Sequence, residues 1–171
     1  MDILSVIKGR RSVRDFLKKE IPEELINELV EALIWAPSAG NLQARRFIFV
    51  KDQKTKKELA RAALGQSFIA EAPLVVVGCA DLERIASRYG SRGMNLYVIQ
   101  DVSASIMQLM LLAHERGLGT VWVGAFDERA VSEILRLPPH LRPVAIVPVG
   151  YPSRIPSPPP RRPVKEIIEF L

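Results

Sequence analysis

Residues 95–126 read NLYVIQDVSASIMQLMLLAHERGLGTVWVGAF, and their pattern decides the fold. The first part predicts one long helix from Asn95 to Arg116. Leu96, Val98, Ile99, Val102, Ile106, Leu109, Met110 and Leu112 leave it few polar faces. A helix this apolar has to be covered almost all round, and in a chain of this size a subunit interface is a natural cover. Gly117 and Gly119 stop it. Thr120-Val121-Trp122-Val123 then reads as a strand running into Gly124-Ala125-Phe126. Gln100, Asp101, Ser103, Ser105 and Gln108 make the helix too polar for a membrane span.

Outward from this stretch the chain alternates helices and strands. Upstream, Phe47 to Val50 and Leu74 to Val77 read as strands, with a charged helix from Gln53 to Ala63 between them. Leu82 to Gly93 is polar, basic and glycine-punctuated, which predicts a mobile excursion. Further back, Pro22 opens a helix with an apolar stripe of Leu25, Ile26, Leu29, Val30, Leu33 and Ile34, and Pro37 ends it. Residues Ala36 to Gln43 form a loop by composition, and Asp2 caps a short helix that ends near Gly9. Downstream, Asp127 caps a helix through Leu135, Val144 to Val149 is a buried strand, and Gly150-Tyr151-Pro152 turns out of it. The tail carries Pro152, Pro156, Pro158, Pro159, Pro160 and Pro163, so it is extended. Its apolar end, Val164 to Phe170, predicts that this arm docks on something.

The length of 171 residues suits one domain over the whole chain, 1–171, with the arm at about 152–171. Hydrophobic residues make up 48%, enough for a real core. The single cysteine, Cys79, lies in an apolar run and reads as a buried small hydrophobe, which excludes a disulfide framework and predicts a cytoplasmic location. The N-terminus has no signal-peptide layout. His114 and His140 have no carboxylate or cysteine at ligand spacing, so no metal site is expected. No Gly-x-Ser-x-Gly elbow supports a nucleophilic serine.

Two arginine clusters stand at opposite ends, Arg10-Arg11-Ser12-Val13-Arg14 and Arg161-Arg162. A planar guanidinium matches phosphate oxygens and stays charged at any working pH, so a globular core with such edges suits a phosphate-bearing ligand. The bland alternative is a solvated surface. The net charge of +5 would also allow nucleic acid, but that needs a continuous basic face or stacking aromatics, and aromatics total only 6% while Arg10, Arg14 and Arg162 have a better use. Pro156 to Arg161 could be a polyproline ligand for a recognition module. A clamped arm that carries Arg162 to a phosphate is the preferred reading.

Five segments now stand in order: Arg-Arg-Ser-Val-Arg, the Pro37-Ser38 loop, the long helix, Gly117 to Phe126, and Gly150-Tyr151-Pro152 with a late Arg-Arg-Pro. This order resembles the nitroreductase family of FMN-dependent oxidoreductases from about Ile3 to Phe170. The resemblance implies an α+β fold with a central mixed or antiparallel sheet flanked by helices, a long interface helix and an extended C-terminal arm. It also implies a homodimer with FMN at the interface. NADH or NADPH would be the donor in a ping-pong reaction through flavin N5. A small acceptor such as a nitroaromatic, quinone or flavin would complete it. Other redox chemistry on the same fold, such as dehydrogenation or reductive dehalogenation, is the alternative.

The resemblance also assigns cofactor-binding residues. Arg10 and Ser12, with Arg162 from the arm, would hold the FMN phosphate and ribityl chain; Arg11 belongs to the same cofactor-binding set, and Arg161 ranks below Arg162. Arg14 would lie near the pyrimidine edge, where a fixed cation stabilises the negative charge of two-electron reduction. Pro37, Ser38 and Ala39 resemble the loop that meets the flavin from the partner subunit. Gln66 falls where an amide often faces the pyrimidine edge. Gly124 and Ala125 match a segment whose backbone N–H groups approach the N5 side. Asn41 either orders its own loop or touches the cofactor. Trp122 and Asp101 read as core residues, Asp101 through a buried hydrogen bond; Tyr97 and Met107 read as interface packing. The sequence departs from the family where many members have Pro-Trp and it has Ala44-Arg45, and it is short at Leu82 to Gly93.

Overall fold

The computed structural model describes residues 1–171. Its centre is an antiparallel sheet of four strands: β1 (Arg45–Val50), β2 (Leu74–Asp81), β3 (Gly119–Thr120) and β4 (Leu141–Gly150), in the order β1-β2-β4-β3. The helices are α1 (Ile3–Gly9), α2 (Glu23–Ile34), α3 (Gln53–Ala62), α4 (Phe68–Glu71), α5 (Leu82–Arg92), α6 (Val98–Glu115) and α7 (Glu128–Ile134). Asp2, Asp52, Asp81 and Asp127 each accept a hydrogen bond from a first-turn N–H of α1, α3, α5 and α7.

The inner strand β2 shows why its sequence is apolar without alternation. Leu74, Val76 and Ala80 face the core made with α2 and α6, whereas Val75, Val77 and Cys79 face the core beside α3 and α7. Both faces are dry. Burial pushes the Cys79 thiol up to about 12. Gly78 supplies the room for α6: a Cβ there would stand 2.7 Å from Ile106 Cδ1.

The structure corrects three expectations. Leu82 to Gly93 is not a mobile excursion but the helix α5, capped by Asp81 and anchored by the fully buried Ile85. Its glycine does one local job, since Gly90 takes φ +51 and kinks the helix. The long helix does not start at Asn95: a π turn over Gly93–Tyr97 precedes α6. The strand after Gly119 is only two residues long, and its pairing resumes as an isolated bridge between Val123 and Ile146. Continued pairing would need Pro148 to donate an N–H to Val121, and proline has none. The run Leu82–Glu115 is long and apolar enough by composition to cross a membrane, yet Val98, Val102, Ile106 and Leu109 are buried in the protein core.

Candidate flavin site

The N-terminal arginine segment is fixed by backbone bonds to the edge of the sheet. Val13 N–H donates to Thr120 O at 2.9 Å, and Ser12 pairs with Thr120 in a parallel bridge. Leu17 N–H donates to Tyr151 O. Gly119 makes the approach possible, because a Cβ on it would lie 2.8 Å from Val13 Cβ. Val13 and Phe16 are buried, and this leaves the arginines at the rim.

There Arg10, Arg11, Ser12 and Arg14 line a depression of about 220 Å³ with Pro156, Ser157, Pro159 and Arg161 of the arm. Its four guanidinium groups have no carboxylate within ion-pairing distance. Burial, then the charges of Arg11 and Arg161, hold Arg10 below the usual guanidinium value. Cations gathered against their own repulsion make a cradle for an anion, and the forks suit phosphate oxygens. Arg161 stands in the cradle while Arg162 pairs with Glu166 at 3.0 Å, the reverse of the order in which the sequence ranked them. Arg14 lies over the Phe68 ring, 5.9 Å from its centroid.

The structure brings Gln66 and Ala125 together. Gln66 Nε2 donates to Ala63 O at 2.9 Å and to Ala125 O at 3.4 Å. Leu64 and Gly65 both take positive φ, which turns the chain out of α3 toward that contact. Gly124 and Ala125 are exposed, so their backbone is open to a ligand.

The Pro37–Ala39 loop belongs to a third group. Gly40, Asn41 and Gln43 are all left-handed, with φ of +54, +55 and +51. Ser38 Oγ accepts from Gln43 N–H at 3.0 Å, and Asn41 Oδ1 accepts from the Gln43 side chain at 3.3 Å. Asn41 therefore orders its own loop. From below, Asp101 Oδ1 accepts from Ala39 N–H at 2.9 Å while Oδ2 is buried without a partner. Burial raises the Asp101 carboxyl above the ordinary value, opposed by the Ala39 bond and the Arg45 charge.

Arg45, noted in the sequence only as a departure, proves to be the brace of this loop. Its guanidinium donates to Ala36 O at 2.6 Å, Pro37 O at 2.9 Å and Ile34 O at 3.2 Å. These are carbonyls at the end of α2 and in the loop just after it, which helical bonds leave open. The signal was a pair of basic residues, Arg45-Arg46, beginning a strand, and only the tertiary fold shows what the first of them touches.

Comparison with known proteins bears on the family and the fold. The model of the Nitroreductase family matches residues 7–151. A Thermus thermophilus protein named NADH dehydrogenase is 34% identical, over 98% of this chain and 95% of its own length. The FMN reductase [NAD(P)H] of Bacillus subtilis is 27% identical, over 97% of this chain and 72% of its own. The structure of the Vibrio harveyi NADPH:FMN oxidoreductase complexed with NAD+ superimposes with a TM-score of 0.92. It is 25% identical and covers 99% of this chain and 77% of that one.

Proposed function

From the premise that this chain belongs to the nitroreductase family, we propose that it is an FMN-dependent oxidoreductase using NAD(P)H to reduce a small acceptor. The observation that carries this reading is the cradle of four guanidinium groups with no acidic partner, three of them on the segment fixed to the sheet edge and the fourth, Arg161, on the arm. It fits a phosphate monoester. Arg10, Arg11, Ser12 and Arg161 would hold that phosphate, with Arg162 available from the arm. Arg14 and Gln66 would face the pyrimidine edge, and the exposed backbone of Gly124 and Ala125 would border the ring.

Bound FMN supplies two-electron chemistry, accepting from the nicotinamide and giving to a nitroaromatic, quinone or flavin. The chain's own contribution is binding and electrostatics. A fixed Arg14 stabilises negative charge that grows on reduction, and its seat over Phe68 limits its motion. Pro37, Ser38 and Ala39, braced by Arg45 and Asp101, would present a rigid wall to a flavin held by a second copy. A homodimer would also cover Ile3, Leu4, Ile7 and Met107, and the exposed Ile167, Ile168 and Phe170 of the arm. The cytoplasm is the expected location.

The test is the visible spectrum of the purified protein before and after anaerobic addition of NADH or NADPH. Flavin bands that bleach support the proposal. Bands that persist move the reading to other flavin redox chemistry, and a colourless protein that cannot be loaded with FMN overturns it.

A further inference from the structure

A second basic cluster, outside the flavin cradle, lies at the kink of α5. Tyr89 and Tyr97 meet edge to face with centroids 5.3 Å apart. Arg88 stacks on Tyr89 and Arg92 on Tyr97, at 5.5 and 5.4 Å from the ring centroids. Neither arginine has a carboxylate within ion-pairing distance. Arg92 donates only its Nε, to Tyr97 Oη at 2.9 Å, and Arg88 makes one long bond of 3.4 Å to Gly40 O. Most of their N–H groups are free, although each guanidinium plane is seated on a ring. Such stacking limits the motion of the fork without using up its donors.

The cluster abuts the flavin loop. Arg84 on the same helix donates to Leu42 O, and the position of a Gly40 Cβ lies 2.5 Å from Tyr89 Oη. It also differs from the cradle in kind. No aromatic residue lines the cradle, whereas here two half-buried rings adjoin two open forks. Aromatic surface beside unpaired arginine suits a purine that carries a phosphate monoester.

We infer that the Arg88–Tyr89–Tyr97–Arg92 cluster binds the adenosine 2′-phosphate of NADPH and makes this protein select NADPH over NADH. The inference rests on the reading of the chain as an NAD(P)H-dependent flavin enzyme. The pyrophosphate is common to both donors and gives no discrimination. The 2′-phosphate adds a largely dianionic group that an open guanidinium fork binds by charge-assisted hydrogen bonds.

Two measurements test it on the full-length protein. Calorimetry with 2′,5′-ADP and with 5′-AMP reads the phosphate site, with FMN filling the cradle where it binds and the difference between parent and double variant isolating the site where it does not. Binding of 2′,5′-ADP at least about tenfold tighter than 5′-AMP, and lost in the double variant R88A/R92A, is the expected result. Equal affinity for the two probes marks a general anion patch and overturns the inference, as does 2′,5′-ADP binding that survives the double variant. Arg92→Ala alone, which leaves the Arg88–Gly40 contact in place, guards against a loop disturbance and should weaken the same probe. In steady state, the NADPH-to-NADH ratio of kcat/KM should exceed about ten and fall toward one in R88A/R92A. An enzyme that holds FMN and uses both donors equally defeats the 2′-phosphate assignment alone. Failure to hold FMN defeats the flavin reading, and the calorimetry still decides the phosphate site.

Discussion

The two ends of this chain carry the same chemistry in opposite mechanical states. The arginines of residues 10–14 sit on backbone bonded to the sheet at Thr120 and Tyr151, with Val13 and Phe16 buried beneath them. Residues 153–171 are exposed throughout, and the bond from Ser153 N–H to Asp15 O is their last backbone link to the body. One cluster is organised before any ligand arrives. The other lies on an extended proline-rich segment with no ladder of its own, and needs a second surface to be useful. Charge alone therefore does not make a site; what differs is how much of the ordering cost the fold has already met.

The sharpest way to break that comparison is to unseat the organised end. Gly119→Val places methyl groups where Val13 already stands, 2.8 Å from the position of the new Cβ. Overpacking of this kind costs about 1–3 kcal/mol and sometimes more. The melting temperature and the flavin-to-protein ratio should fall together, because the clash pushes Arg10 to Arg14 off the sheet. A variant that melts lower yet keeps its full flavin would show that the cradle does not depend on this docking.

Much of this organisation is legible in the sequence, and the exceptions have physical causes. The apolar α6, the Asp2 and Asp127 caps and the apolar run of β2 are local patterns and all appear, although α6 begins at Val98 and β2 continues past Val77 to Asp81. The helix α5 was hidden because its composition is polar and Gly90 and Gly93 punctuate its end, while the residue that anchors it is a single Ile85. The break in the strand after Thr120 was hidden because its cause, Pro148, lies on another strand. Arg45 was visible only as an oddity: the carbonyls it ties belong to the end of α2 and the loop after it. The arginine segment could be read as charge, but its seat on Gly119 is a contact between distant parts of the chain. Local patterns survive translation into structure, and the long-range partners of polar groups do not show in one dimension.

A milder set of changes sharpens the contrast at the free end. Truncation after Ser153 removes residues that are exposed in the single chain, so far-ultraviolet circular dichroism should keep its shape. Flavin affinity should drop about tenfold or more with the loss of Arg161 and its charge-assisted bonds, and sedimentation should report fewer dimers. Within the full chain, Arg161→Ala should weaken FMN more than Arg162→Ala, because Arg161 lines the cradle and Arg162 is engaged with Glu166. The opposite ranking would mean that the arm shifts by a residue when a partner covers it. Riboflavin, which has no phosphate, serves as the control ligand for both.

The smallest effect is expected beneath the braced loop, where Asp101 extends the logic of the organised end to a buried carboxyl. Its native value is raised by burial, so between the ordinary carboxylate value of 3.8 and that raised value the folded protein holds more protons than the unfolded chain. Stability must therefore decrease as pH rises through this window, and the cost is fully present at neutral pH. Asp101→Asn removes the charge but keeps an oxygen that can accept from Ala39 N–H. The variant should lose this component of the pH dependence and melt no lower than the parent at pH 7, in denaturant titrations from pH 4 to 8. A large loss of stability at neutral pH would instead show that the charge itself holds the loop, through the nearby Arg45 charge that opposes the burial effect on this carboxyl. The rigid wall that Pro37, Ser38 and Ala39 would offer a flavin would then rest on charge attraction in place of a hydrogen-bonded lattice, and it would soften with added salt.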